Sequence, residues 1–193
     1  MSHIETVAVL LVLINIVLVV RRSLWNYPFG LAMVTLYTFL FFGEKLYSDT
    51  LLQIFFFIVQ LYGWWNWLRG RDSGGAVIVR RRGARAMSLW IAGILMATAL
   101  WGWLMHRYTD AAFPWWDASV AMTSIAAQIL LSQRYIENWP LWVLTDALAI
   151  GLYHAKGLEL TAGLYGVFML VSLWGWREWV VARRAYAEPT QPA

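Results

Sequence analysis

The chain contains no cysteine and few charged residues. Without cysteine, neither a disulfide framework nor a thiolate metal site can be built. Charged residues make up 13% of the 193 residues and hydrophobic residues 61%, whereas about a quarter of the residues in soluble domains are charged. These shortages exclude an ordinary soluble domain and favour a protein that crosses the membrane several times.

The residue groups that carry catalysis are also missing. His3, His106 and His154 are scattered along the chain, without the His-Glu-x-x-His spacing of a metal site. There is no nucleophile elbow and no Cys/His pair. We therefore predict that the protein is not an enzyme and that it has no catalytic residue, metal or cofactor.

Apolar runs, separated by short polar connections, predict an all-α membrane protein with seven transmembrane helices. The N-terminus has no basic region and no cleavage site, so we expect the first run to be a retained span. The predicted helices run about Ile4–Val20, Pro28–Gly43, Ser48–Leu68, Met87–Met105, Trp115–Ser132, Trp139–Tyr153 and Glu159–Val181.

The distribution of Lys and Arg predicts the orientation. With the N-terminus outside, only Lys45, Arg107 and Lys156 lie outside, and the other twelve basic residues lie inside. Cytoplasmic connections carry such an excess, so we predict an N-out, C-in topology. The basic residues cluster between apolar segments, which indicates contact with the lipid bilayer and no nucleic-acid partner. The inside residues are Arg21, Arg22, Arg69, Arg71, Arg80, Arg81, Arg82, Arg85, Arg134, Arg177, Arg183 and Arg184.

The two halves of the chain match at a fixed offset of 112 positions. Asn26-x-Pro28 corresponds to Asn138-x-Pro140, and Gly63-Trp64-x-x-Trp67 to Gly175-Trp176-x-x-Trp179. Matching helices are four spans apart, so the triplets run in parallel, and a substrate site is expected where such repeats meet. The predicted parts are a first three-helix bundle (1–68), a basic cytoplasmic loop (69–86), a linking helix (87–105), a second bundle (106–182) and a disordered tail (183–193).

The stretch Asn138–Asp146 places two tryptophans and a carboxylate on one helix face. A carboxylate inside a membrane span needs a partner. A permanently cationic substrate would supply one, and Trp139 and Trp142 would add cation–π attraction. The alternative is that Asp146 lies near the lipid headgroups, where it helps to cap the helix or pairs with Arg134.

Other polar side chains share faces of the predicted helices. Gln53 and Gln60 lie on one face of the third helix with Phe57, Trp64 and Trp67, and either bind hydroxyl groups or hold helices together. The four tryptophans Trp64, Trp67, Trp176 and Trp179 also suit an interfacial aromatic belt. Further candidates are Gln128 on the fifth helix, which shares a face with Asp117 and Ser124, and Tyr165 in a stripe with Ser172, Trp176 and Trp179.

These motifs, in this order, resemble the PnuC vitamin transporters of bacteria over nearly the whole chain. The resemblance rests on Trp139-x-x-Trp142 with Asp146, Tyr153-x-x-Lys156-Gly157, Gly175-Trp176-x-x-Trp179, Arg22 with Pro28-x-Gly30, Leu46-Tyr47-x-Asp49 and Tyr62-Gly63-Trp64.

The resemblance implies a 3+1+3 fold related to the SWEET sugar transporters and facilitated diffusion of nicotinamide riboside. It further implies trapping of the vitamin by cytoplasmic phosphorylation, substrate contact by Trp139 and Trp142, and a homo-oligomer, expected to be a trimer, in the bacterial cytoplasmic membrane. We expect alternating access around one central site. Thiamine, also a flat cation, is an alternative substrate, although Gln53 and Gln60 suit the ribose hydroxyls of the riboside. A membrane enzyme acting on a lipid and a structural membrane subunit are the alternatives of other classes.

Overall fold

The computed structural model describes residues 3–43 and 47–187, and these form seven helices with two isolated β-bridges. The prediction of seven helices is confirmed. Lys45 and the end of the predicted tail, 188–193, lie outside the described residues. The helices are α1 His3–Val20, α2 Asn26–Gly43, α3 Tyr47–Arg69, α4 Ala84–Tyr108, α5 Pro114–Ser132, α6 Asn138–Ala155 and α7 Glu159–Ala187.

Proline marks the first turn of three helices: Pro114 begins α5, and Pro28 and Pro140 are third in α2 and α6. The first turn tolerates proline because its N–H groups have no intrahelical acceptor. The main difference from the predicted bounds is at the C-terminal end of α7. This helix runs to Ala187, six residues past the predicted end at Val181.

The turns after α1 and α5 repeat the same backbone geometry. Arg22 and Arg134, 112 positions apart, have positive φ angles of 55° and 65°. The next amide donates to the carbonyl five residues back in each turn, Ser23 to Leu18 and Tyr135 to Leu130, both at 2.9 Å. This is the Schellman arrangement that ends a helix through a left-handed residue.

The helices after these turns also begin alike. The Asn26 side-chain amide donates to the Ser23 carbonyl (2.6 Å), and the Asn138 amide donates to the Tyr135 carbonyl (2.7 Å). Each asparagine therefore ties the first turn of its helix to the preceding connection.

The chain divides into two compact units. Unit 1 comprises Met1–Val79, Ser132–Arg134 and Glu178–Ala193, and unit 2 comprises Arg80–Leu131 and Tyr135–Arg177. In unit 1, α2 packs against α1 and α3. Unit 2 contains α4, most of α5, α6 and the first two thirds of α7.

Aromatic side chains form the centre of unit 1. The Tyr27 ring lies edge-on to Trp67 (centroids 5.4 Å apart), and Trp67 packs against Trp179 (5.7 Å). Trp67 and Trp179 are fully buried, and the Trp179 indole N–H donates to the Val19 carbonyl (3.3 Å). The interpretation of these two tryptophans as an interfacial belt is therefore wrong, because both pack inside the protein.

The connection between α3 and α4 is folded, although its composition suggests a loose connector. Asp72 and Ala76 exchange backbone and side-chain hydrogen bonds around Gly75, whose φ of 83° suits glycine. The Tyr186 hydroxyl donates to the Asp72 carboxylate, and this bond, with the Ala76 amide, lowers the pKa of Asp72.

Among the described residues, two helical segments are long and apolar enough, taken alone, to cross a bilayer. They are Thr50–Arg69 and Ala84–Tyr108, with mean hydropathies of 1.2 and 1.6. α4 exposes large apolar side chains along much of its length, such as Leu95, Met96 and Leu100. Exposed apolar surface of this kind is typical of a helix that contacts lipid or another protein.

Candidate functional site

The strongest concentration of candidate residues in unit 2 lies where α6 and α7 run antiparallel along one another. Trp139, Asp146 and Tyr153 follow at seven-residue intervals on α6, so they share a face. Each of them contacts α7, at Gly175, Ser172 and Tyr165 respectively. We call this line of contacts the α6–α7 seam.

Asp146 is the buried carboxylate of the seam. It is 3% exposed, and its Oδ2 accepts a hydrogen bond of 3.0 Å from the Ser172 hydroxyl, itself 5% exposed. In unit 1, the Arg134 guanidinium of the predicted alternative donates to the Gly70 carbonyl (2.9 Å). The described hydrogen-bonding partner of the Asp146 carboxylate is thus a neutral side chain.

Trp139 begins the seam at the first turn of α6. Its ring is 2% exposed and lies against the backbone of Gly175, so closely that a Cβ on this glycine would overlap the indole. Gly175 is therefore required for close packing. Unit 1 contains the corresponding contact 112 positions earlier, where a Cβ on Gly63 would lie 2.7 Å from the Tyr27 hydroxyl.

Tyr165 closes the other end of the seam. Its ring stacks on Tyr153, with centroids 5.3 Å apart and an interplanar angle of 20°. One turn beyond Tyr153, the Lys156 ammonium binds both carboxylate oxygens of Asp117, at 2.7 and 3.0 Å. This ion pair ties the end of α6 to the start of α5.

Trp142 and Gln128 do not belong to the seam. Trp142 is half-buried and packs against a cluster formed by Ala126, Ala127, Leu130 and Leu141. It therefore faces α5, although Trp139 and Asp146 on the same helix face α7. Gln128 is half-buried on α5.

Gln53 and Gln60 belong to unit 1. Gln60 is buried, and its amide oxygen lies against Gly30, as does the amide nitrogen of Asn15. The Asn15 amide donates to the Asn26 carbonyl. Gln60 is therefore part of a polar cluster, whereas Gln53 is half-buried two turns earlier on α3.

A cavity of about 330 Å³ also opens in unit 2, lined by residues of α4 and α5 such as Leu89, Ile94, Ala97, Met122 and Ile129. Its lining is almost entirely apolar. A site for a hydroxyl-rich ligand needs a few convergent polar groups, so the seam is the better candidate.

Comparison with known proteins identifies the family. The family model described as nicotinamide mononucleotide transporter matches residues 2–181. The chain belongs to this family. It is therefore a multi-pass membrane transporter and not an enzyme, as the sequence predicts.

Relatives in this family align along nearly the whole chain. The nicotinamide riboside transporter PnuC of Escherichia coli is 30% identical over 209 residues, which cover 95% of this chain and 87% of that protein. The riboflavin/roseoflavin transporter RibM of Streptomyces davaonensis is 29% identical over 188 residues, which cover 96% and 88%. The crystal structure of the vitamin B3 transporter PnuC superposes with a TM-score of 0.76 at 26% identity, over 95% of this chain and 83% of that one.

The family match includes α1 to α6, α7 as far as residue 181, and all seven candidate residues. Ser172 and Gly175 are residues of the seam that the candidate set lacks. The sequence contains a signal for each, because Ser172 lies in the polar stripe of the seventh helix and Gly175 in the repeated Gly-Trp motif. Their roles depend on the register between α6 and α7, which single-helix periodicity does not give.

Proposed function

We propose that the protein transports nicotinamide riboside by facilitated diffusion, with the α6–α7 seam as part of the substrate site. The observation that carries the proposal is the buried Asp146, whose described hydrogen-bonding partner is the neutral Ser172. A permanently cationic pyridinium ring would supply the missing positive charge. Relatives that bear the name nicotinamide riboside transporter support the choice of substrate.

The charge of the seam favours the riboside over the mononucleotide for which the family is described. The two compounds differ by a phosphate group, which carries a charge between about −1.5 and −2 at neutral pH. Proteins bind phosphate with Arg, Lys or helix N-termini. Trp139, Asp146, Ser172 and Tyr165 supply no positive charge, and Asp146 would repel a phosphate.

The roles of the candidate residues follow from their chemistry. Trp139 and Trp142 are proposed to contact the ring, Asp146 to balance its charge, and Tyr165 and Gln128 to bind the ring edge or the ribose. Trp139 is covered by Gly175, so its contact with substrate would need the top of the seam to open.

Gln53 and Gln60 are proposed as partners of the ribose hydroxyls. This role rests on the sequence pattern of α3, where both amides lie on one face.

For the architecture we propose a 3+1+3 arrangement of parallel repeats, related to the SWEET transporters, with bundles at 1–68 and 106–182 and a linking helix at 87–105. The recurring turns at Arg22 and Arg134 support it. The excess of inside arginine supports an N-out, C-in orientation.

We further propose alternating access, a homotrimer in the bacterial cytoplasmic membrane, and net uptake by cytoplasmic phosphorylation of the vitamin. A facilitated diffuser only equilibrates its substrate, so accumulation needs a separate reaction that removes it.

Binding by the purified protein tests the substrate. Saturable quenching of tryptophan fluorescence is expected with nicotinamide riboside. Trp142→Ala should abolish saturable binding, because truncation removes the ring contact, while the protein still elutes as the wild-type oligomer. Trp101→Ala, on the exposed surface of α4, is the control and should bind normally. Wild-type affinity in Trp142→Ala would contradict the site, and saturation by thiamine or the mononucleotide alone would replace the substrate.

Riboflavin is a second candidate substrate, because a riboflavin/roseoflavin transporter is similar over 96% of this chain. Its ring system is flat but neutral. In a complex with riboflavin, the Asp146 carboxylate would have no opposite charge to pair with. The acidic side chain therefore favours the cationic riboside as the substrate.

A further inference from the structure

The apolar cavity between α4 and α5 is a surface groove, and two glycines of α4 show where it opens. A Cβ on Gly102 would lie 2.5 Å from the Trp115 ring, so α4 and α5 are in close contact there. Nine residues earlier, a Cβ on Gly93 would meet no atom within 4 Å. Gly93 lines the cavity and is exposed, and Leu89 on its rim is 71% exposed. The two helices therefore leave an open apolar groove between them toward the start of α4.

The length of the groove matches the depth of one lipid leaflet. On α4 it runs from Leu89 to Ala97, which is about 12 Å at about 1.5 Å of rise per residue. The hydrocarbon layer of one leaflet is about 15 Å deep, half of the roughly 30 Å of a bilayer core. α4 is itself long and apolar enough to cross a bilayer. The groove therefore has the length and the apolar walls to receive one acyl chain.

Arginines lie at the end of the groove where α4 begins. Trp90 lines the groove, and the Arg82 guanidinium lies 5.6 Å from the centroid of its ring. Arg85 is exposed and lies one turn before Leu89 on the same side of α4. The Arg81 side chain is 65% exposed. The apolar groove is therefore continuous with a positively charged surface.

The positive charge at this end exceeds the charge of the neighbouring carboxylate. Glu137 accepts a hydrogen bond from the Arg82 backbone N–H (3.0 Å), and the same carboxylate oxygen lies 3.9 Å from Arg81 Nε. The connection carries four arginines, Arg80, Arg81, Arg82 and Arg85. One carboxylate does not neutralise four guanidinium groups, so an anion would complement this end of the groove.

We infer that the α4–α5 groove binds an anionic phospholipid, with one acyl chain in the groove and the phosphate group on Arg81 and Arg85. Basic pockets between transmembrane helices bind anionic lipid headgroups in this way. Trp90 suits the boundary between chain and headgroup, where tryptophan is enriched. In the proposed N-out, C-in orientation, the lipid belongs to the cytoplasmic leaflet. The inference does not depend on which substrate is transported.

Charge also favours a lipid over a second copy of the chain as the occupant. The protein is basic, with a net charge of +4. A second copy therefore complements the arginines less well than an anionic lipid does.

The experiment compares two lipids with the same acyl chains and different headgroup charge. The purified full-length protein in a mild detergent is titrated with dioleoylphosphatidylglycerol or with dioleoylphosphatidylcholine, and native mass spectrometry counts the lipids retained. One phosphatidylglycerol per chain is expected. It should bind about 25-fold more tightly than phosphatidylcholine, because each of two arginines contributes about fivefold toward an anionic headgroup.

Two kinds of variant separate the headgroup contact from the chain contact. Arg81→Gln combined with Arg85→Gln should lower phosphatidylglycerol binding to the level of phosphatidylcholine. Gly93→Leu should weaken both lipids equally, because its side chain fills the groove, and the open space at its Cβ lets it fit. Arg107→Gln at the other end of α4 and Ala99→Leu on its other face, both at exposed positions, are the matched controls and should bind as the wild type does.

Three results would overturn the inference. Equal retention of both lipids by the wild type would show that the groove does not recognise charge. Unchanged phosphatidylglycerol binding in the arginine variant and in Gly93→Leu would place the lipid elsewhere. A change of oligomeric state in Gly93→Leu, with lipid binding intact, would make a second copy the occupant. The riboside titration tests the proposed function separately, and the comparison of two lipids on the wild type needs no variant to fold.

Discussion

At the scale of single residues, two glycines set how closely the helices approach. Gly175 lies under the Trp139 ring and Gly63 beside the Tyr27 side chain. Added methyl groups in a packed core force the neighbours out of position and cost about 1–3 kcal/mol. The repeated Gly-Trp motif is visible in the sequence. Its spacing does not predict that each glycine packs against an aromatic side chain of a neighbouring helix.

Gly175→Ala is therefore expected to destabilise the protein by about 1–3 kcal/mol and lower its thermal midpoint. Gly166→Ala, on the same helix, is the matched control, because no atom lies within 4 Å of its added Cβ. It should leave the midpoint unchanged or raise it slightly, since alanine favours helix more than glycine does. Thermal unfolding in detergent, followed by size-exclusion fluorescence, measures both. Equal midpoints would show that the ring contact is dispensable.

Among the candidate residues, sequence reasoning is most informative for those on a shared helix face. Trp139 and Asp146 are seven residues apart and lie together on the seam, but Trp142 packs toward α5. A helical pattern gives the angle between side chains and not the neighbour that each one meets. The substrate contacts of all these residues stay predictions.

At the scale of elements, the ends of helices are less predictable than their existence. Pro28, Pro114 and Pro140 mark three starts, since proline suits the first turn. Helices that end on a left-handed residue mostly use glycine there, whereas Arg22 and Arg134 occupy that position after α1 and α5. From the sequence, these two arginines predict that the connections lie on the inside. They do not predict a left-handed residue, because arginine is not typical of that position.

The positive φ at Arg22 predicts a difference between two substitutions. Arg22→Asn and Arg22→Val both remove the guanidinium that donates to the Val77 carbonyl (3.5 Å). Asparagine tolerates the left-handed region and a β-branched residue does not. The Arg22→Val protein should therefore be less stable than the Arg22→Asn protein by about 1–2 kcal/mol. Denaturation midpoints of the two variants measure the difference.

The same order of stability is expected at Arg134, where Arg134→Val should be less stable than Arg134→Asn, because the φ angle of Arg134 is similar to that of Arg22. Indistinguishable Asn and Val variants at both positions would contradict the turn geometry.

At the scale of the whole molecule, composition and the order of motifs predict more than individual side chains do. Seven apolar runs give seven helices, and the motif order gives the family, because both are averages over many residues. The orientation remains a prediction from the positions of fifteen basic residues.

The absence of native cysteine makes the orientation directly testable. Ser73→Cys lies in the exposed connection between α3 and α4, and Ala112→Cys in the exposed connection between α4 and α5. With the N-terminus outside, a membrane-impermeant maleimide should label Ala112→Cys in intact cells and Ser73→Cys only after permeabilisation. The parent protein is the unlabelled control. The reverse pattern would invert the orientation.

The ring-on-glycine contacts also constrain how the molecule can deform. α6 cannot slide along α7 by even one residue without lifting the Trp139 ring from Gly175, and α2 is held to α3 in the same way by Tyr27 and Gly63. The ring contacts therefore oppose sliding of the paired helices along one another, whereas separation of α6 from α7 at Trp139, which substrate contact would need, is a different movement. A distance between two points at the same height on α6 and α7 would therefore report opening of the pair and not sliding.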